Sequence, residues 1–352
     1  MAKEGRKTYV DMTEGTPWRK IIVFALPIML GQLLQQLYQT VDGIVVGNFV
    51  SSGALAAVGT CTSVTMVFLA FSIGMGGGSG ILISQLFGAG RREELRSAAA
   101  NIILLMLALG VCVTALGVAG ADLIARSILR IEDPDICRQA ATYLRIYSVG
   151  LVFTFLYNAV SSILRAVGDS KAMLYFLIVS TVMNTLLDLL FVRTFRMGVA
   201  GAAWATVIAQ AACMIVSYIY MFRLYPAFRF ASARELRPDW GKLGICVRLG
   251  LPTTLQFLII SCGHLLLQRL VNSFGSVTMA AVTVGARYDH YCSIPSFGMM
   301  QAMSSFAGQN IGAGRQDRIS LGFKHATALM LSFTALMIPL FLLFSEAIMG
   351  WF

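Results

Sequence analysis

The sequence predicts an all-α integral membrane protein built as a parallel repeat of two six-helix bundles, with about nine of an expected twelve transmembrane helices present. Three observations carry this. The 352-residue chain is 57% hydrophobic and 12% charged with a mean hydropathy of +0.75, whereas a soluble domain carries about 25% charged residues. Apolar stretches long enough to cross a hydrocarbon core of roughly 30 Å, each needing about 20 helical residues, recur along almost the whole chain. A seven-residue phrase, Gln85 to Arg91 (QLFGAGR), returns as Gln309 to Arg315 (QNIGAGR) at an offset of 224 positions.

The repeat extends beyond that phrase. At the same offset Ala56-Ala57-Val58 falls on Ala280-Ala281-Val282, and Ser72, Gly74 and Met75 fall on Ser296, Gly298 and Met299; at 225, Leu26-Pro27 falls on Leu251-Pro252. A match across three separate segments marks two copies of one unit. A complete second copy would run to roughly position 450, so the second unit is expected to lack about three helices. Strict alternation over ten-residue segments is missing from the pattern, which argues for helices rather than an outer-membrane barrel.

The predicted spans follow in order. The first, 19–46, begins beside Arg19 and Lys20 and carries Pro27 and Asp42; the second, 53–86, contains the small-residue run GMGGGSG from Gly74 to Gly80. That run lacks the Lys-Ser/Thr pair of a phosphate loop, so close helix packing is its reading, not nucleotide binding. Spans at 97–119 and 138–163 are apolar, 170–194 carries Asn184 and Asp188, and 198–222 opens on Gly198, Gly201, Ala202, Ala203 and Ala205. Residues 226–242 hold Pro226, Pro238, Asp239 and several basic residues and read as the cytoplasmic linker between an N-lobe at 1–225 and a C-lobe at 243–352. The C-lobe spans are 243–272, 277–310 and 320–345.

Charge sets the orientation. The net charge is +10, but the basic residues sort by loop rather than forming a nucleic-acid surface. The N-terminal tail and every second connection thereafter hold nineteen Lys and Arg, from Lys3 to Lys324, and the opposite connections hold six: Arg126, Arg130, Arg138, Arg193, Arg196 and Arg269. The positive-inside rule places the N-terminus of this multi-pass chain in the cytoplasm. Six crossings return the chain to its starting side, so the repeat is parallel, not inverted. Residues 1–20 show no short apolar core with a cleavage site, and the first helix is expected to stay in the mature chain. The seven cysteines are scattered and the three histidines have no ligand spacing, so neither a cofactor nor a resident metal is expected.

Ionisable groups in a bilayer cost at least about 2.5 to 3.5 kcal/mol each on insertion scales, so those present need a reason. Counting from Lys20 and Lys171 at 1.5 Å per residue puts Asp42 about 33 Å and Asp188 about 26 Å along their helices, both in the outer half. Asn184 precedes Asp188 by one turn and shares its face, while Thr206, entering from the outside, is about 12 Å deep. Four oxygen-bearing side chains therefore converge on one depth, a set suited to Na⁺ through hard oxygen ligands or to a proton held on a carboxyl pair. The alternative is a pair of hydrogen-bonded helix clamps with no exchangeable ion. Gln32, Gln35, Gln36, Tyr38 and Gln39 form a polar face leading to Asp42, which should line an aqueous cavity, and Pro27 can seed a bend. Arg287, Asp289 and His290 sit near mid-membrane in the eighth span; Arg287 and His290 share a face, so Asp289 should find a partner on another helix.

QLFGAGR after a long second helix, LP early in helices one and seven, VDG in helix one, NTLLD in helix five and GAAWAT in helix six together resemble the multidrug and toxic compound extrusion (MATE) transporters, of the DinF-like bacterial branch. The resemblance covers the whole chain. It implies twelve helices in two lobes around a central cavity, and export of organic cations and other amphipathic, drug-like compounds in exchange for H⁺ or Na⁺. It also implies a first-lobe cation site at Asp42, Asn184, Asp188 and Thr206 and a location in the bacterial plasma membrane. From the residues themselves, Gln35, Tyr38 and Gln39 are expected to line the cavity, Arg287, Asp289 and His290 to face substrate or form an internal salt bridge, and the working unit to be a monomer. One departure is Ile260, eight positions after Pro252, where some branches carry an acidic residue; a second-lobe cation site on helix seven is not expected. Rival readings are a flippase for a lipid-linked precursor, which would ask for more cavity arginines than Arg287 and Arg145, and a nontransporting remnant. An enzyme is not expected, since no nucleophile with a paired base is found.

Overall fold

The computed structural model describes residues 10–50, 52–129, 131, 133–229, 237–272, 274 and 276–349. Within them lie nine long helices: α1 (Pro17–Phe49), α2 (Ser52–Gly88), α3 (Arg92–Leu123), α4 (Pro134–Ala166), α5 (Lys171–Asp188), α6 (Gly198–Leu224), α7 (Trp240–Asn272), α8 (Ser276–Gly312) and α9 (Gln316–Met349). Within the described residues, eight of these helices carry a stretch long and apolar enough to cross a membrane. The helices overrun the expected spans by a few residues at most ends, because the polar ends of a crossing stay helical after hydropathy has fallen. Two helices finish in π-helical turns, Ile124–Ile128 after α3 and Leu189–Thr194 after α5.

The helix ends explain the repeated phrase. Gly90 and Gly314, the second glycines of the two GAGR copies, have φ of 70° and 71°. In the first copy the Arg91 amide donates to the Leu86 carbonyl at 3.1 Å and the Gly90 amide to Phe87 at 3.1 Å; in the second, Arg315 donates to Asn310 at 2.8 Å and Gly314 to Ile311 at 3.1 Å. This six-to-one and five-to-two pair is a Schellman cap, which needs a left-handed residue that glycine adopts without a Cβ penalty. The phrase is thus a helix stop used twice. Elsewhere, α4 starts on Pro134 with the Asp133 carboxylate accepting from the amides of Asp135 and Ile136 at 2.8 and 3.2 Å.

Among the first six helices, α4 is central, packed on α2, α3 and α6, while α1 lies on α5 and α5 on α6. The core they enclose includes Ile102, Met106, Leu144, Phe155 and Phe176. The second copy joins the first chiefly through α2 against α7 and α8 and through α1 against α8 and α9. Small residues permit that approach. A Cβ at Gly74 would overlap the Thr254 backbone, one at Gly78 the Gly250 backbone, one at Gly88 the Gln309 carbonyl and one at Gly312 the Gln85 carbonyl. The last two contacts are mirror images in the repeat: Gly88 meets Gln309 as Gly312 meets Gln85, the reciprocal pattern of a two-fold interface. Large apolar side chains such as Leu116, Leu123, Ile259 and Leu336 are exposed, as helices bathed in lipid require.

Candidate functional site

Asn184, Asp188 and Thr206 are brought together and buried, at 2%, 0% and 4% exposure. One end of the Asn184 amide stands 3.4 Å from the Thr206 hydroxyl. With the amide turned as the surrounding groups demand, Nδ2 donates to Asp188 Oδ2 at 2.7 Å and Oδ1 accepts from the Thr206 amide at 3.2 Å. The Thr206 hydroxyl donates to the Ala202 carbonyl at 3.1 Å. The site is therefore anchored on two helices, and Asp188 is the last α-helical residue before the π-helical turn Leu189–Thr194, where a wider turn re-aims the backbone beside a polar group.

The side chains of Tyr38, Gln39, Asp42 and Arg287 lie outside those described, but the backbone places Asp42. α1 and α5 run in the same direction: a Cβ at Gly31, midway along α1, would press on Leu177, in the first half of α5, and Val50, just past α1, reaches Gly198, just past the turn that ends α5. Asp42 is eleven residues beyond Gly31, and Asp188 is eleven beyond Leu177. Eleven residues are close to three full turns, about 16 Å, so both positions return to the faces that meet at Gly31 and Leu177. Asp42 is level with Asp188.

The remaining expected residues are less tightly grouped. Pro27 is buried inside α1. Gln32, Gln35 and Gln36 are half-buried, beside an exposed stripe of Leu26, Leu30, Leu33 and Leu37. Asp289 and His290 are exposed. The partner expected for Asp289 on another helix is not found: among the described residues it forms no ion pair. Spacing alone placed it correctly on α8, but pairing depends on which helix stands opposite.

A second polar assembly, at the end of the bundle that bears the N-terminus, had no counterpart in the sequence expectations. Residues 10–16 cross that end as a strap. The Val10 amide donates to the Gly168 carbonyl at 2.9 Å, in the loop between α4 and α5. On the other side the Met12 amide donates to Gln309 Oε1 at 3.1 Å, while Asn310 Nδ2 and Arg318 Nη2 donate to the Met12 carbonyl at 3.1 and 3.3 Å. Arg315 adds a bond to the Thr13 carbonyl at 2.6 Å and Arg318 one to Gly15 at 2.9 Å. Met12 itself is fully buried with Ile21, Phe24, Met299 and Phe306. Gln309 Nε2 also donates directly to the Ala166 carbonyl at 2.8 Å, tying α8 to α4. The first and second copies are closed against each other here. The only signal in the sequence was the polar Gln309-Asn310 pair inside the repeated phrase.

The MatE family model matches residues 27–190 and 252–352. The chain belongs to the MatE family. The two matched blocks leave out the linker around Pro226 and Pro238 and correspond to the two copies found by internal repetition. Among curated relatives of this MatE protein are the probable multidrug resistance protein YpnP of Bacillus subtilis, 31% identical over 88% of the chain and 68% of YpnP, and YoeA of the same organism, also named a probable multidrug resistance protein, 32% identical over 95% of the chain and 73% of YoeA. A solved outward-facing multidrug resistance MATE transporter superposes with a TM-score of 0.88 at 25% identity, covering 98% of this chain and 76% of that one. The protein is a bacterial, multi-pass MATE membrane protein with the two-lobe fold of that family.

Proposed function

We propose that the chain acts as a secondary active efflux transporter, exporting organic, often cationic and amphipathic compounds in exchange for H⁺ or Na⁺. The observation that carries this is the buried Asn184–Asp188–Thr206 cluster, with the register of α1 putting position 42 at the same level. A carboxylate fully removed from solvent inside a membrane bundle is costly unless it serves an ion or a proton, and two carboxylates flanked by an amide and a hydroxyl suit either.

In this reading the N-terminal end is cytoplasmic and the strapped conformation faces outward. H⁺ or Na⁺ arriving from outside occupies the α1–α5–α6 cluster, and α1, free to bend at Pro27, repacks and displaces drug from the cavity between lobes. The strap then releases, the lobes rock, and the ion leaves to the cytoplasm. Inward movement of one positive charge through 100 mV supplies about 2.3 kcal/mol, nearly a fifty-fold substrate gradient. One coupled ion is enough to be useful.

The test is efflux of a fluorescent lipophilic cation from proteoliposomes under an imposed pH or Na⁺ gradient. Asp42→Asn and Asp188→Asn are expected to cut gradient-driven transport by about tenfold or more (on the scale of one charge interaction) while leaving the protein folded. Undiminished transport in both variants contradicts the assignment. Running the pH and Na⁺ gradients separately identifies the ion.

A further inference from the structure

At the rim opposite the strap, α3 and α4 enclose a recess of about 420 Å³ lined by Asp122, Arg126, Ile131, Pro134, Cys137, Arg138, Ala141, Thr142 and Arg145. Three arginines line it. Arg145 Nη2 donates to Asp122 Oδ2 at 2.5 Å and Arg138 Nη2 to Asp135 Oδ1 at 2.8 Å, whereas among the described residues Arg126 forms no ion pair. Each guanidinium has five N–H donors in a planar fork, so both paired arginines keep donors to spare. Arg126 is presented by the π-helical turn Ile124–Ile128, the kind of irregularity that re-aims a side chain.

The surroundings say where a ligand for this recess comes from. α3 runs toward the recess and α4 away from it, so Ala115, Ala119 and Val149 lie on its membrane side, on the faces of Asp122 and Arg145 and about two turns or fewer from them. All three are exposed. Just beneath, the helices close: a Cβ at Gly117 would overlap the Ser148 hydroxyl. A polar, arginine-lined recess thus sits directly above an exposed apolar seam, the vertical order of a headgroup and its acyl chains.

We infer that this recess binds the phosphodiester headgroup of an anionic phospholipid, such as a phosphatidylglycerol, with Arg126, Arg138 and Arg145 donating to the phosphate oxygens and the chains lying along Ala115, Ala119 and Val149. The planar forks favour phosphate geometry, and a recess of this volume admits a small glycerol-sized headgroup. The site is separate from the Asp188 cluster and does not depend on the transport reading.

The experiment is intact-mass analysis of the purified protein carried in detergent with an equimolar mixture of phosphatidylglycerol and phosphatidylcholine. Preferential retention of phosphatidylglycerol is expected, falling about fivefold for each of Arg126→Gln and Arg138→Gln, the loss of one arginine beside an anionic headgroup. Arg126→Gln breaks no ion pair among the described residues and should keep the wild-type melting temperature in neutral lipid, which separates loss of the ligand from loss of the fold. A third arm adds inorganic phosphate, which should fail to displace the lipid. Equal retention of the two lipids, retention unchanged by both substitutions, or displacement by phosphate alone would overturn the inference; the last would make this a site for a soluble anion.

Discussion

Asp188 is the residue on which most rests. Its carboxylate is held by an amide that is itself held by the backbone of another helix, so the cluster should tolerate small changes poorly. Thr206→Val keeps the shape but removes the hydroxyl beside Asn184. It is expected to weaken the coupling ion's apparent affinity by roughly tenfold, about the strength of one polar contact made in a low-dielectric site, with little effect on melting; a titration of transport against Na⁺ or pH reads this directly. Asn184, Asp188 and Thr206 were legible in the sequence because a helix advances about 1.5 Å per residue, so counting from Lys171 and from Gly198 fixes depth without any knowledge of packing. That Asp289 forms no ion pair among the described residues was not legible for the complementary reason. Depth and face follow from one helix, whereas a contact needs two.

At the scale of elements, the strap and the capped ends of α2 and α8 govern closure. Met12 inserts into the cluster formed by α1, α8 and α9, and its carbonyl accepts from both Asn310 and Arg318. Arg318→Ala removes charge-assisted donors to Met12 and Gly15, each contributing about 1.5 to 3 kcal/mol. The strap is then expected to open more often, and a cysteine introduced at Met12 should label faster with a water-soluble maleimide in the Arg318→Ala background than in the parent. Asp239 forms another such tie before α7. It accepts from the amides of Lys242 and Gly241 at 3.2 and 3.0 Å, and its own amide donates to Asn101 Oδ1 at 2.8 Å. The bonds from Lys242 hold its carboxyl below the usual carboxylate range. With a depressed folded value, its contribution is fully present above the ordinary carboxylate pKa and is lost as pH falls through the lower folded one. Acid melting curves of the parent and Asp239→Asn should therefore differ at neutral pH and converge in strong acid. The helices themselves were read from hydropathy to within a few residues. The strap escaped because seven irregular residues have no period, and their bonding is set by loops about three hundred residues away.

For the whole molecule, duplication explains both the symmetry of the closed end and the asymmetry of the chemistry. Gly88 and Gly312 make reciprocal contacts with Gln309 and Gln85, yet at an offset of 224 or 225 Asp42 falls on Leu266 or Leu267. The second copy reproduces the scaffold without this carboxylate. Closure depends on backbone-to-backbone approach, so Gly88→Val or Gly312→Val would push the carbonyls apart. Either variant is expected to bias the protein away from the strapped conformation, seen as a lengthened distance between spin labels placed at the exposed helix starts Arg92 and Gln316. The repeated phrase announced this interface in the sequence, but only as a helix stop; that the two stops face each other is a property of the assembled lobes.

The central claim is that a cation and the exported compound compete through the α1–α5–α6 cluster. Its most direct measurement is ion release from the purified protein: addition of a lipophilic cationic dye to weakly buffered or Na⁺-loaded protein, followed by a pH or Na⁺ electrode. The account predicts release of H⁺ or Na⁺ that saturates with the dye and disappears in Asp188→Asn. Dye binding that releases neither ion, or release that persists unchanged in Asp188→Asn, would contradict it.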